Sequence, residues 1–384
     1  MTLSGAQNIA ILLCKFKDSK NIEPHPASFY KDMFKRGTGG LNDYWIAASQ
    51  GAINLDGSKI FGWKTFDINR DDYLAEHPTR ADKIDGAVEA FELDRSQFAN
   101  VIVIFNVDVT DGGSAGGVLS GPTGHLTFLA HELGHGFEIE HSFDHSDRQK
   151  EYAQKGEYFD PYDIMSANAV SYDKGHRFSP RGPLLNTANL DRMGWLPPSR
   201  IWRPLKNSSG LYDVSIVALS HPEEQGYLAV EAGGWIAEFR MPSGFDAGLR
   251  RPTVLFHDYP ADPNSFIIAS DPSTYNCEWQ PGQTLWSPQL FEQIGGVKAE
   301  VLDFDLRRKK AHLRLEVKAM RPPFIDPDLI FGLGIGQLPF NGHILVLRNG
   351  KIVPVPVPEP DFVLKQEDLL TVGRLLRGLR SRPG

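Results

Sequence analysis

Residues 121–141 read GPTGHLTFLAHELGHGFEIEH. Leu126, Leu129, Ala130, Leu133 and Phe137 recur at helical intervals and form one apolar stripe. At about 100° per residue, His131 and His135 project from the opposite side, one turn apart on a common face. A helix buried along one stripe, with two imidazoles opposite, faces a cleft. Gly121-Pro122 suits the opening of this helix, because proline is tolerated in a first turn.

Imidazoles at i and i+4 can reach one ion. Zinc takes imidazole nitrogen at about 2.0–2.1 Å, and a catalytic zinc site keeps one position for water. Glu132 directly follows the first histidine and can lean over that water. The metal lowers the pKa of the water and the carboxylate takes its proton, while zinc polarises the scissile carbonyl. On a continuing helix, His141 would be rotated by roughly 240° from His135. The chain must therefore break near residues 136–139 and turn back, and Gly136 helps that break. The expectation is one Zn2+ on His131, His135 and His141, with Glu132 as general base.

The string from His131 to His141 resembles HExxHxxGxxH, the signature of the metzincin zinc peptidases. Glu138 stands where that family usually has glycine, which serves a left-handed turn. Asp160-Pro161-Tyr162-Asp163-Ile164-Met165-Ser166 is similar to the methionine turn that floors the metal in such enzymes, with Met165 24 residues after His141. The segment looks like the immune inhibitor A and gametolysin type. Asn189 to Leu196 resembles the helix that closes their catalytic domain, and Ala237-Glu238-Phe239-Arg240 with Gly244-Phe245-Asp246 is similar to their following β domain. The resemblance covers roughly residues 8–320 and is most specific over 125–197. Where some metzincins place an extra tyrosine ligand, this chain has Ala167. The resemblance implies an endopeptidase acting on protein or peptide substrates, and favours secretion.

Outward from the motif, residues 8–16 and Val101 to Phe105 read as buried strands. Residues 27–36, 41–49 and Thr79 to Leu93 carry helical patterns, and residues 52–66 look like two short strands. Asp108 to Gly121 reads as a loop or edge strand, in which Asp108 and Asp111 are oxygen donors for calcium or simply turn residues. From about residue 201, short β-prone runs at Tyr212–Val217, Tyr227–Val230, Trp235–Phe239, Thr253–Phe256, Phe266–Ala269, Lys298–Phe304 and Ala311–Val317 alternate with turns. After Pro322-Pro323, Ile344–Leu347 and Ile352–Val355 flank Asn349-Gly350 as a hairpin. Pro354, Pro356 and Pro358 are expected to stop further pairing, and Glu367 to Leu379 to form a short helix.

The fold class expected is α+β: a metzincin-like catalytic domain over 1–200, with a twisted mixed sheet and an active-site helix; a mainly antiparallel β-sandwich over 201–321; and a C-terminal extension over 322–384. Two domains suit 384 residues at 41% hydrophobic and 23% charged. A net charge of -8 gives no broad positive face for nucleic acid, and the basic runs at Arg307–Lys310 and Arg374–Arg382 read as solvated faces. No stretch of about 18 apolar residues suggests a membrane span, and the N-terminus lacks the pattern of a secretory signal. Cys14 reads as a core thiol rather than half of a disulfide with Cys277. His125, His145 and His176 read as hydrogen-bonded or surface histidines, while Ser142 and Asp144 are candidates to orient the ligands. Two rivals remain. In one, the chain is a catalytically silent zinc-bearing scaffold or binding protein. In the other, Glu151 or Glu157 replaces His141 as third ligand. Intact Glu132 argues against the first and the methionine segment against the second.

Overall fold

A computed structural model describes residues 2–166, 172–205, 208–258, 263–286 and 296–319, and the backbone of 343–348 and 351–356. The chain divides into two compact units, Met1–Ala319 and Met320–Gly384. The first is a mixed α and β structure with several sheets and few helices.

It opens with β1 (Gly5–Ala6) and β2 (Ile9–Lys15), then α1 (Ala27–Met33), α2 (Leu41–Ala48), β3 (Ile53–Asn54) and β4 (Lys59–Thr65). Helices α3 (Arg70–Glu76) and α4 (Arg80–Ala90) precede β5 (Asn100–Phe105), β6 (Gly113–Ser114), β7 (Val118–Ser120) and α5 (Leu126–Gly136). Five strands make one sheet in the order β4-β2-β5-β7-β6, all parallel except β6, which runs antiparallel to β7 at the edge.

Residues Ile9 to Cys14 are all buried, as a strand covered on both faces requires. The period of two divides them. Ile9, Ile11 and Leu13 face a core with Trp45 of α2 and Leu129 and Leu133 of α5. Ala10, Leu12 and Cys14 face another with Tyr73 of α3 and Ile84 and Ala87 of α4. Helix α4 starts at a capping box, in which Thr79 and Asp82 satisfy each other's backbone N–H.

Next come β8 (Ser142–Asp144), α6 (Thr187–Arg192), β9 (Ile201–Trp202), β10 (Gly210–Val217), β11 (Ala229–Ala232) and β12 (Trp235–Arg240). Strands β13 (Thr253–Asp258), β14 (Ser265–Ile267), β15 (Thr284–Leu285), β16 (Gly296–Asp305) and β17 (Lys310–Lys318) complete the unit. Two sheets result. The order β10-β17-β16-β15 is wholly antiparallel; β8-β14-β13-β12-β11-β9 is antiparallel at its centre and parallel at both ends. Strand β17 buries Ala311, Leu313, Leu315 and Val317 alternately, and these share a core with Val230, Phe239, Val254 and Phe256 of the second sheet.

Residue 200 marks no break in packing. Strand β8 joins the sheet of the later segment, and Ile201, Val217, Ala229, Ile236 and Phe245 sit in the core that also holds α5. The segments expected as 1–200 and 201–321 thus share one compact unit as far as Ala319, because one edge strand of that sheet, β8, comes from before the expected boundary. Cys14 and Cys277 are both buried and free. Among the described residues, no helix is long and apolar enough to cross a membrane.

In the second unit, β18 (His343–Arg348) pairs antiparallel with β19 (Lys351–Pro356). Pro354 and Pro356 are part of that pairing, opposite Leu345 and His343, and among the described residues the two strands pair with no third. Two residues apart, their nitrogens face the same side, and a proline is tolerated where that side is the outer edge of a ladder. The expected helix at 367–379 lies outside the described residues.

Candidate metal centre

Helix α5 begins at Leu126, four residues after Pro122, because His125 and not the Gly-Pro pair starts it. The His125 Nδ1 accepts the Phe128 N–H at 3.2 Å as an N-cap. The apolar stripe then docks the helix: Leu126, Leu129, Ala130 and Leu133 are buried, and the Phe137 ring meets Trp45 edge-on at 4.8 Å between centroids.

The helix ends at Gly136 in a Schellman turn. The Ile139 N–H bonds the Gly134 carbonyl and the Glu138 N–H bonds the His135 carbonyl, both at 3.0 Å. Glu138 takes φ +66°, the left-handed conformation that this position requires. It does so without glycine, at a cost of about 1 kcal/mol. The reversed chain carries His141 back over the helix.

Donor atoms of His131, His135 and His141 all lie within 4.8 Å of one another, and these three form the one group of metal-ligating type found among the described residues. Each imidazole is anchored through Nδ1. His131 Nδ1 donates to the Ile164 carbonyl at 2.9 Å and His135 Nδ1 to the Ile139 carbonyl at 3.0 Å. His141 Nδ1 meets Glu157 Oε1 at 2.6 Å. A carbonyl only accepts, so the first two rings carry their proton on Nδ1 and leave Nε2 bare. Burial pushes the pKa of His131 down to about 3 and that of His135 down to about 4, so both are neutral. Yet their Nε2 atoms stand 3.2 Å apart. Two lone pairs at that distance make no hydrogen bond. Two nitrogens about 2.0–2.1 Å from a shared tetrahedral ion stand roughly 3.3 Å apart, so a zinc-sized cation fits the pair.

Met165 is buried beneath the helix, and its N–H is held by Asp163 Oδ1 at 2.7 Å. Glu132 is half-buried on the helix face. Burial raises its pKa, opposed by hydrogen bonds from Ser114 and by the charge of Arg80. Arg80 in turn holds the β6 edge, bonding Asp111 at 2.7 and 3.2 Å and the Ser114 carbonyl at 3.1 Å. Asp111 is therefore the partner of an arginine, and Asp108 accepts the Thr110 N–H within its own turn. A cleft of about 440 Å³ opens beside His135 and Gly136, lined also by Asn100, Val101 and Ser114 to Gly117. A hollow of about 540 Å³ over α4, lined by Asp85, Glu89 and Arg95 among others, touches none of the three histidines.

Comparison with family models, with curated proteins and with solved structures returns no match for this chain. The functional reading therefore rests on the residues themselves.

The remaining sequence candidates fall outside the cluster. His145 pairs with Asp258 at 2.7 Å, and His176 Nδ1 accepts the Phe178 N–H at 3.3 Å. Ser142 and Asp144 make no hydrogen bond to the three imidazoles: the first bonds Ser265 and the second bonds Ser146 and Arg148. The carboxylate that does bond one of the three imidazoles is Glu157. Its other oxygen accepts the Gln154 N–H at 2.6 Å, so it stands behind His141 rather than in its place. Tyr158, which the sequence did not single out, holds its ring 4.4 Å from that of His141 at φ +68°.

Proposed function

We propose that the chain is a zinc-dependent endopeptidase of the metzincin kind. The observation that carries this reading is the pair of bare Nε2 atoms of His131 and His135, 3.2 Å apart and each fixed from behind, with His141 beside them. Neutral imidazoles locked in this tautomer suit a borderline-soft divalent cation, and an outer carboxylate behind one of them is common at zinc sites. His131, His135 and His141 would hold the ion.

When bound, zinc acidifies a water and polarises a carbonyl. The protein's own part is proton transfer. Glu132 adjoins the first ligand, and burial raises its proton affinity. Its carboxylate would take a proton from the attacking water and return it to the departing amine. The anchors on the three Nδ1 atoms keep the rings from turning. The finer fold reading belongs with this proposal: a metzincin-like catalytic domain followed by a β-sandwich, supported by the core that the two later sheets share.

The test is zinc content per chain together with cleavage of a denatured protein, with and without a chelator. One zinc per chain and chelator-sensitive cleavage are expected. Zinc without cleavage would favour the silent scaffold, and no zinc would remove the reading.

A further inference from the structure

Two of the ligands are held in place by side chains from the later sheet. Strand β8 begins one residue after His141 and runs parallel to β14, with Ser142 opposite Ser265 and Phe143 opposite Phe266. The two serine hydroxyls are bonded at 2.9 Å, and Ser265 also accepts the Asn186 amide at 2.8 Å. The Asn186 N–H bonds Asp163 Oδ2 at 3.0 Å, while Asp163 Oδ1 holds the Met165 N–H at 2.7 Å. Between Asp163 and Met165 lies Ile164, whose carbonyl orients His131 at 2.9 Å. On β13, His257 Nε2 donates to Asp160 Oδ2 at 2.9 Å, and Asp160 Oδ1 accepts the Tyr162 N–H at 2.9 Å, so the same turn is pinned at its start.

Ser142, Asp160, Asp163, Asn186, His257 and Ser265 are all fully buried. Stability alone gives little reason for such a set, since buried ion pairs are often exchanged for apolar residues without loss. What the bonds do determine is position. They set where the Ile164 carbonyl lies, and where the chain leaves His141.

We infer that His257 and Ser265 are positioning residues of the metal centre, acting on His131 through the Asp160–Met165 turn and on His141 through β8. The later sheet is then part of the site, although it supplies no ligand. This inference rests on the zinc reading above.

The experiment compares full-length wild type with His257→Leu, His257→Gln and Ser265→Ala. Zinc affinity is measured by competition with a chromophoric chelator, the site is probed by the visible spectrum of bound cobalt(II), and folding is followed by near-UV circular dichroism and Tm. Loss of a partner that orients a ligand weakens metal binding by about 10- to 100-fold. His257→Leu should show that loss while still folded, with an altered cobalt spectrum. Ser265→Ala should show a smaller loss. In His257→Gln the side-chain amide can replace the ring Nε2–H, so affinity should recover most of the way. If His257→Leu does not fold, Ser265→Ala decides alone, because it removes one oxygen and adds no bulk. A purely structural role would lower Tm and leave affinity and spectrum unchanged in the folded variants, and that result overturns the inference. A wild type that takes up no zinc overturns the zinc reading as well, so the two failures are distinct.

Discussion

Met165 fills the space that Gly134 leaves open: a Cβ built on Gly134 would lie 2.5 Å from the Met165 Sδ. The glycine sits between the two helical histidines, so the approach of methionine to the helix depends on its missing side chain. In Gly134→Ala, helix propensity favours alanine by about 1 kcal/mol. Overpacking opposes it by about 1–3 kcal/mol. The clash should prevail, because the Met165 side chain that must yield is fully buried. Urea unfolding should show a lower midpoint, and zinc affinity should fall as the Ile164 carbonyl moves. A more stable variant with unchanged affinity would contradict this packing.

Glu138→Gly should act the other way. The residue is exposed at φ +66°, where glycine has no Cβ penalty. A gain of about 0.5–1 kcal/mol is expected in chemical denaturation, with zinc affinity unchanged. A loss of stability would mean that the Glu138 side chain makes a contact the structure does not contain.

How far the site could be read from sequence follows from the range of each interaction. The histidines at 131 and 135 are one turn apart, and a local period places them. His141 needed only the break at 136–139, which the Schellman bonds supply. Glu157 and Tyr158 were not legible in their present roles, because 15 residues, β8 among them, lie between Glu157 and the ring it holds. Strand β8 has three residues and no periodicity, and its partner strand begins 123 residues later. The strands of the later segment were legible by alternation, as β17 illustrates, but their sharing of a core with α5 was not. Helix α3 went unread, since only Tyr73 of its seven residues is buried and no stripe marks it.

Glu157 separates an orienting carboxylate from a ligand. Glu157→Gln can keep an acceptor for the His141 Nδ1–H at the expense of the bond from the Gln154 N–H, and should bind zinc within a few-fold of wild type. Glu157→Leu should lower affinity by about 10- to 100-fold, as loss of a partner that orients a ligand typically does. Equal affinity in both variants would remove Glu157 from the site.

Arg240 tests the buried charges beneath α6. Arg240, Glu238 and Asp246 are fully buried, with Arg240 bonded to Glu238 at 2.8 Å and to Asp246 at 2.5 and 2.7 Å. Burial opposes the Arg240 charge, but Asp246 and Glu238 outweigh it and raise its pKa. Glu238 also accepts the Thr187 N–H, at the start of α6. Arg240→Met leaves two buried carboxylates without their cation, and should cost about 3–5 kcal/mol in urea unfolding. A loss below about 1 kcal/mol would show that the carboxylates find other partners or take up protons readily.

The central claim is that Glu132 acts as general base beside a zinc held by His131, His135 and His141. Measuring zinc per chain and cleavage of a denatured protein in wild type and Glu132→Gln tests it most directly. The variant should keep the fold and one zinc, because glutamine has the same shape and Glu132 is not a ligand. Its cleavage rate should fall by about a hundredfold to ten-thousandfold, the usual value of general-base catalysis. A Glu132→Gln protein that holds its zinc and cleaves as fast as wild type would contradict the account.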